Sequence, residues 1–111
     1  MFGEIWASGD HVRTADLRFR YLTRSSDLVV SPAPQVAYSI SRKVGNAVVR
    51  NRIRRRLRSL FFDQFAEQSS ISISAAVVIV LPGARDRTFA ELHDQVLELM
   101  KKVENSTKAA S

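Results

Sequence analysis

Six arginines and no lysine stand between residues 50 and 58, inside the run SRKVGNAVVRNRIRRRLRSLFF that covers residues 41–62. Guanidinium forks bind phosphate oxygens in bidentate fashion and stack on bases, so arginine at this density points to a polyanionic partner. Of the chain's 17 lysines and arginines, eight lie in this run, which holds no acidic residue; the other nine face 11 aspartates and glutamates elsewhere. The positive excess therefore resides in one stretch. A merely solvated helix face usually intersperses Glu to form i,i+4 pairs and relieve repulsion. Nothing relieves it here, which favours nucleic acid over a solvated face.

The element that carries these arginines is fixed by periodicity. Val49, Ile53, Leu57, Leu60 and Phe61 recur at steps of four, four, three and one, the stripe of an amphipathic helix, with Asn46 placed to cap it just after Gly45. With Ile53 at the centre of the buried face, a turn of 100° per residue puts Arg50 and Arg56 on its shoulders and Arg52 and Arg54 at its flanks. Asn51, Arg55 and Arg58 then fall on the outer face. Arg42 and Lys43 lead into the helix, whose first amides offer a further site for a phosphate.

Other chemistry finds little support. His11 and His93, the only histidines, show no HExxH spacing and no serine partner in a nucleophile elbow, and no phosphate-binding or dinucleotide glycine pattern occurs. Glu91, Asp94 and Glu98 share one side of a helix, spaced either for a metal or, more simply, as a solvated face. The absence of Cys excludes disulfides, thiolate metal sites and thiol nucleophiles, and is compatible with a reducing cytoplasm. The chain of 111 residues, 45% of them apolar, forms one domain. Its amino end lacks a cationic segment followed by an apolar run, and no stretch approaches 18 apolar residues. A soluble, untargeted protein is expected. A pI near 10.5 favours RNA, DNA or an anionic membrane without choosing among them.

The scaffold follows in order. Phe2, Ile5 and Trp6 end a helical pattern closed by Gly9 and Asp10; Phe2 and Trp6 share a face, either as core or as a stacking platform for bases. Leu17 to Leu22 alternates as a half-buried strand, with Leu17, Phe19 and Tyr21 inward and Arg18, Arg20 and Leu22 outward; Val12 fits a short strand before it. Residues 23–35 read as a loop, with Leu28 to Val30 a candidate edge strand. Val36 to Ser41 alternates again, its outward row Ala37, Ser39 and Ser41 leaving a shallow floor. Ala75 to Leu81 is an apolar run expected to be a central strand, covered on both faces and joined to Val36–Ser41 through the basic helix as a parallel βαβ unit. Thr88 and Glu91 form a capping box that opens a last helix with Phe89, Leu92, Val96, Leu99 and Val103 on one face. Residues 105–111 read as a frayed polar tail.

The run from Ser41 to Phe61 resembles the signature of the protein subunit of bacterial ribonuclease P. Arg50, Asn51 and Arg52, followed by Ile53, Arg54, Arg55 and Arg58, are similar to that family's RNR motif, and Lys43, Val44, Gly45 and Asn46 match its lead-in. Phe2, Trp6 and Gly9, the two strands, VVIVLPGA and the FAEL helix extend the resemblance along most of the chain. It implies an α+β fold, ribosomal protein S5 domain 2-like. That fold has an amino-terminal helix, a mixed sheet of about four strands, the basic helix in a left-handed crossover, and a closing helix. The handedness runs against the usual rule for βαβ units.

The resemblance further implies a partner, the catalytic ribonuclease P RNA, and a substrate, precursor tRNA, whose 5' leader is removed by hydrolysis with Mg²⁺ bound mainly by the RNA. RNA contacts would fall to Arg42, Lys43, Asn46, Arg50, Asn51, Arg52, Arg54, Arg55, Arg56 and Arg58. A leader cleft would use Phe2, Trp6, Arg20, Ser39, Ser41 and Lys43, with Arg20 standing where some members carry a cleft-facing Tyr. Family members usually have a further turn or two of helix before the aromatic at Phe2, so either the natural chain starts upstream or the cleft is shallower. The competing reading is a non-enzymatic RNA-binding module of the ribosomal or chaperone kind. Membrane-surface binding is disfavoured because the apolar stripe is needed for the core.

Overall fold

The computed structural model describes residues 10–23, 35–67 and 73–110. It contains strands β1 (Asp10–Arg13), β2 (Leu17–Thr23) and β3 (Gln35–Ile40), helix α1 (Ala47–Glu67), strand β4 (Ile73–Val80), a 3-10 turn (Pro82–Asp86) and helix α2 (Phe89–Ala110). The sheet order is β1-β2-β4-β3, with β1–β2 and β2–β4 antiparallel and β3–β4 parallel. This is the mixed α+β architecture expected from the pattern, with β4 central and α1 as the connection of the parallel pair. The amino-terminal helix, with Phe2 and Trp6, and the edge strand at Leu28–Val30 lie outside the described residues.

Period-two alternation decides what each strand buries. Leu17, Phe19 and Tyr21 of β2 and Ala76, Val78 and Val80 of β4 enter one core with Ile53, Leu57, Leu60 and Phe61 of α1 and Leu92, Val96, Leu99, Met100 and Val103 of α2. Both helices thus cover one face of the sheet. Phe61 is the aromatic hub: its ring stacks on Phe19 at 5.4 Å and on Phe65 at 5.9 Å, with Tyr38 at 6.5 Å. Each such side chain contributes roughly 1.5–3 kcal/mol when taken fully out of water. Ala75 and Val77 are buried on the opposite face, against Leu22, Ala37 and Ile79, so β4 is covered on both sides as expected for a central strand.

Three expectations are corrected. Phe89 is 46% exposed instead of core. It is the first residue of α2, with no earlier turn of that helix beside it, and Met100 joins the buried stripe. Residues 105–110 are helical; no Gly or Pro interrupts the chain there, so the helix continues through a polar segment. Strand β3 ends at Ile40, one residue before Ser41, which instead opens a turn by accepting a hydrogen bond from the Val44 N–H at 3.0 Å.

Candidate nucleic-acid interface

The turn and cap that launch α1 set its cationic face. Val44 is fully buried and anchors the turn, leaving Arg42 and Lys43 exposed on either side of its approach. Gly45 follows because a Cβ there would meet Val49 Cγ1 at 2.8 Å. Asn46 then caps the helix: its Oδ1 accepts from the Val49 N–H at 3.0 Å, and its carbonyl from the Arg50 N–H at 2.9 Å. The Asn46 oxygen thus serves the fold, while its side-chain amide N–H groups can serve an outside partner.

Along α1 the arginines form two flanks and a crest. Arg50, Arg54 and Arg56 are half-buried, while Asn51, Arg52, Arg55 and Arg58 are exposed, close to the positions given by the helical wheel. Val48, Asn51, Arg54, Arg55 and Arg58 line one groove. Arg52, Arg55, Arg56, Ser59 and Phe89 line a second, toward α2. Arg55 belongs to both. Arg54 Nη1 donates to Asn51 Oδ1 at 2.9 Å, holding one fork across the crest. Among the described residues no carboxylate pairs with an α1 arginine; the ion pairs join Arg87 to Asp16 and Glu91, and Lys102 to Glu98. Arg50 Nε is buried without a hydrogen-bond partner. The Tyr38 phenol is pushed up to about 12 by burial, with the positive charge of Arg58 pulling the other way.

The sheet face away from the helices carries the second group of expected residues. Register places Arg13, Arg18, Ile79 and Ser39 in one row and His11, Arg20, Val77 and Ala37 in the next. Arg20 and Ser39 therefore share this face on the two strands that flank β4, as their outward parity requires. Ser41 and Lys43 lie just beyond the end of β3, both exposed. Sequence reading left out Arg13, Arg18 and His11, which line one depression with Arg20. The parity of Arg18 was available, but the β1–β2 register that brings His11 and Arg13 alongside was not. His11 and His93 sit on different elements, β1 and α2. Among the described residues no three His, Cys, Asp or Glu side chains come together as a metal site, and no helix is long and apolar enough to cross a membrane.

A basic helix with a capped start, laid on a four-stranded mixed sheet in the order β1-β2-β4-β3, is also the frame of a known family. The family model for ribonuclease P matches residues 1–104. The chain belongs to the ribonuclease P family. The ribonuclease P protein component of Acidothermus cellulolyticus is 41% identical over 78 residues, covering 68% of this chain and 63% of that protein. That of Thermus scotoductus is 40% identical over 68 residues, covering 61% and 39%. The chain thus spans between about two fifths and under two thirds of these relatives' length. In structure it is similar to a Staphylococcus aureus RNase P protein mutant with defective mRNA degradation activity, with TM-score 0.74 at 23% identity over 93% of this chain and 81% of that one. The RNase P protein of Thermotoga maritima gives 0.70 at 18% identity over 91% and 89%. These likenesses establish that the ribonuclease P protein fold is present here.

Proposed function

We propose that this chain is the protein component of a ribonuclease P holoenzyme, acting in the cytoplasm on precursor tRNA. The observation that carries this reading is the arginine crest of α1, unrelieved by any paired carboxylate among the described residues, in a chain of this family. Arg50, Arg52, Arg54, Arg55, Arg56 and Arg58, with Arg42, Lys43, Asn46 and Asn51, face the ribonuclease P RNA. Their guanidinium forks neutralise phosphates that would otherwise repel one another as the RNA folds against the protein. Arg20, Ser39, Ser41 and Lys43 support the single-stranded leader along the sheet face away from the helices, where hydroxyls and cations suit a sugar-phosphate backbone. Mg²⁺ and the phosphodiester hydrolysis are assigned to the RNA, and the protein's part is to bind, orient and neutralise.

Assembly is the experiment that tests this. If about four α1 cations touch phosphate, log affinity for a bacterial ribonuclease P RNA should fall against log salt with a slope on the order of −3 to −4. Arg52→Ala should weaken binding and flatten that slope by a little under one. Unchanged assembly in Arg50→Ala and Arg52→Ala, or a slope near zero, contradicts the role of α1. Co-purification with ribosomal subunits and no association with the ribonuclease P RNA would favour the ribosomal or chaperone-like reading instead.

A further inference from the structure

Phe89 stands where helical spacing calls for a core residue, yet it is exposed and shares a groove with Arg52, Arg55, Arg56 and Ser59 of α1. An exposed aromatic among three guanidinium groups, with no carboxylate among the described residues that line the groove, has the chemistry of a nucleotide site: a flat apolar face for a base, beside cations for its phosphate. The groove suits neither a purely apolar segment, which would leave the arginines desolvated, nor a basic peptide.

The aromatic is also held in place. Thr88 and Glu91 close a capping box, the Thr88 N–H donating to Glu91 Oε1 at 2.8 Å and the Glu91 N–H to Thr88 Oγ1 at 3.1 Å. Arg87, two residues before Phe89, is tied to Asp16 at 2.6 Å. A ring on a pinned helix start loses little freedom when a base stacks on it, which leaves more of the stacking energy for affinity.

We propose that Phe89 is a stacking platform for an unpaired nucleotide of the ribonuclease P RNA, its phosphate held by Arg52, Arg55 and Arg56. This rests on the reading of α1 as the RNA-facing helix and adds α2 to that interface. The side of α1 toward α2 reads an extruded base, while the crest reads backbone charge alone.

The test compares wild type, Phe89→Leu, Phe89→Tyr and Arg55→Ala for affinity to a bacterial ribonuclease P RNA at several salt concentrations, with thermal melts alongside. Leucine keeps the exposed apolar bulk and the helix, so the melt should stay near wild type. Phe89→Leu is expected to weaken binding at least about fivefold, the low end of one base–aromatic stack, without changing the salt slope, and Phe89→Tyr to restore it. Arg55→Ala should weaken binding and flatten the slope. Phe89→Leu binding within about twofold of wild type, while Arg55→Ala is weakened, overturns the stacking platform and leaves the α1 reading intact. Weakening in Phe89→Leu that tyrosine does not restore also overturns it. If Arg55→Ala and Phe89→Leu both bind as wild type does, the α1 reading and the platform fall together.

Discussion

Arg87 Nε donates to Asp16 Oδ2 at 2.6 Å across 71 residues of sequence. The carboxylate is nearly buried, and Gln95 Nε2 reaches the same oxygen at 2.7 Å. Gln95 Oε1 in turn accepts from the Asp16 N–H at 3.0 Å and from Thr14 Oγ1 at 2.7 Å. This network fastens the β1–β2 turn to the segment that starts α2, and so fixes where α2 lies beside α1. Removing the carboxylate strands Gln95 Nε2 and leaves the half-exposed Arg87 fork to water and to Glu91 Oε2 at 3.6 Å. Asp16→Ala is expected to cost about 2–3 kcal/mol in urea unfolding, and an unchanged midpoint would show that the network is not a structural clamp.

The same clamp is reached from the backbone at Gly83, where an added Cβ would run into Asp16 Oδ1. This gives the glycine of the LPGA run a physical reason. Gly83→Ala should displace the Asp16 carboxylate and lower stability by an amount comparable to Asp16→Ala. Combined with Asp16→Ala it should cost much less than the two losses added, because both act on one group. Additive losses in a double-mutant cycle would separate the two sites.

Arg50 should trade stability against RNA affinity. Its Nε is buried without a partner, and an unmet buried donor typically costs roughly 1–3 kcal/mol. Arg50→Met keeps the length and apolar stem while removing the donor. Its unfolding free energy is expected to rise by about 1 kcal/mol while affinity for the ribonuclease P RNA falls. A variant that is destabilised would show that the Arg50 stem or charge supports the fold itself.

Glu91 and Tyr38 contribute to the pH dependence of folding from its acid and alkaline sides. The Thr88 backbone N–H, then the Thr88 side chain and Arg87, hold the Glu91 carboxyl below the usual carboxylate range. Its ionised form is favoured in the folded state, so its contribution is present above the ordinary carboxylate pKa and is lost as pH falls through the depressed value. Burial raises the Tyr38 phenol from 10.0 to about 12, favouring the neutral form in the folded state. That contribution is full below 10.0 and disappears as pH rises toward 12. Glu91→Gln should flatten the acid limb of a stability–pH curve, and Tyr38→Phe the alkaline limb. Limbs that keep their wild-type slope would assign them to other groups.

What was legible in the sequence was what neighbours in sequence decide. Asn46 and the Thr88–Glu91 box cap their helices as the residue types require, and strict alternation put Arg20 and Ser39 on the sheet face away from the helices. The Asp16, Gln95 and Arg87 network was not legible, because its members are joined only by the order β1-β2-β4-β3 and the packing of α2. Val44 escaped for a different reason: one apolar residue between Lys43 and Gly45 has no periodicity, yet it anchors the turn that aims Arg42 and Lys43. Phe89 had the right period and the wrong neighbours, since periodicity reports a face of a helix and not what stands opposite its end. Phe2 and Trp6, the aromatics expected of a leader cleft, lie outside the described residues.

The role of this chain in leader removal is tested by cleavage of a precursor tRNA by a bacterial ribonuclease P RNA at low Mg²⁺, with and without the protein, using a long and a one-nucleotide leader. Strong activation by the protein is expected, greater for the long leader and weakened in Arg20→Ala. No activation with either leader would contradict the assignment of the chain as the protein component, and activation independent of leader length would contradict the role of the sheet face that carries Arg20 and Ser39.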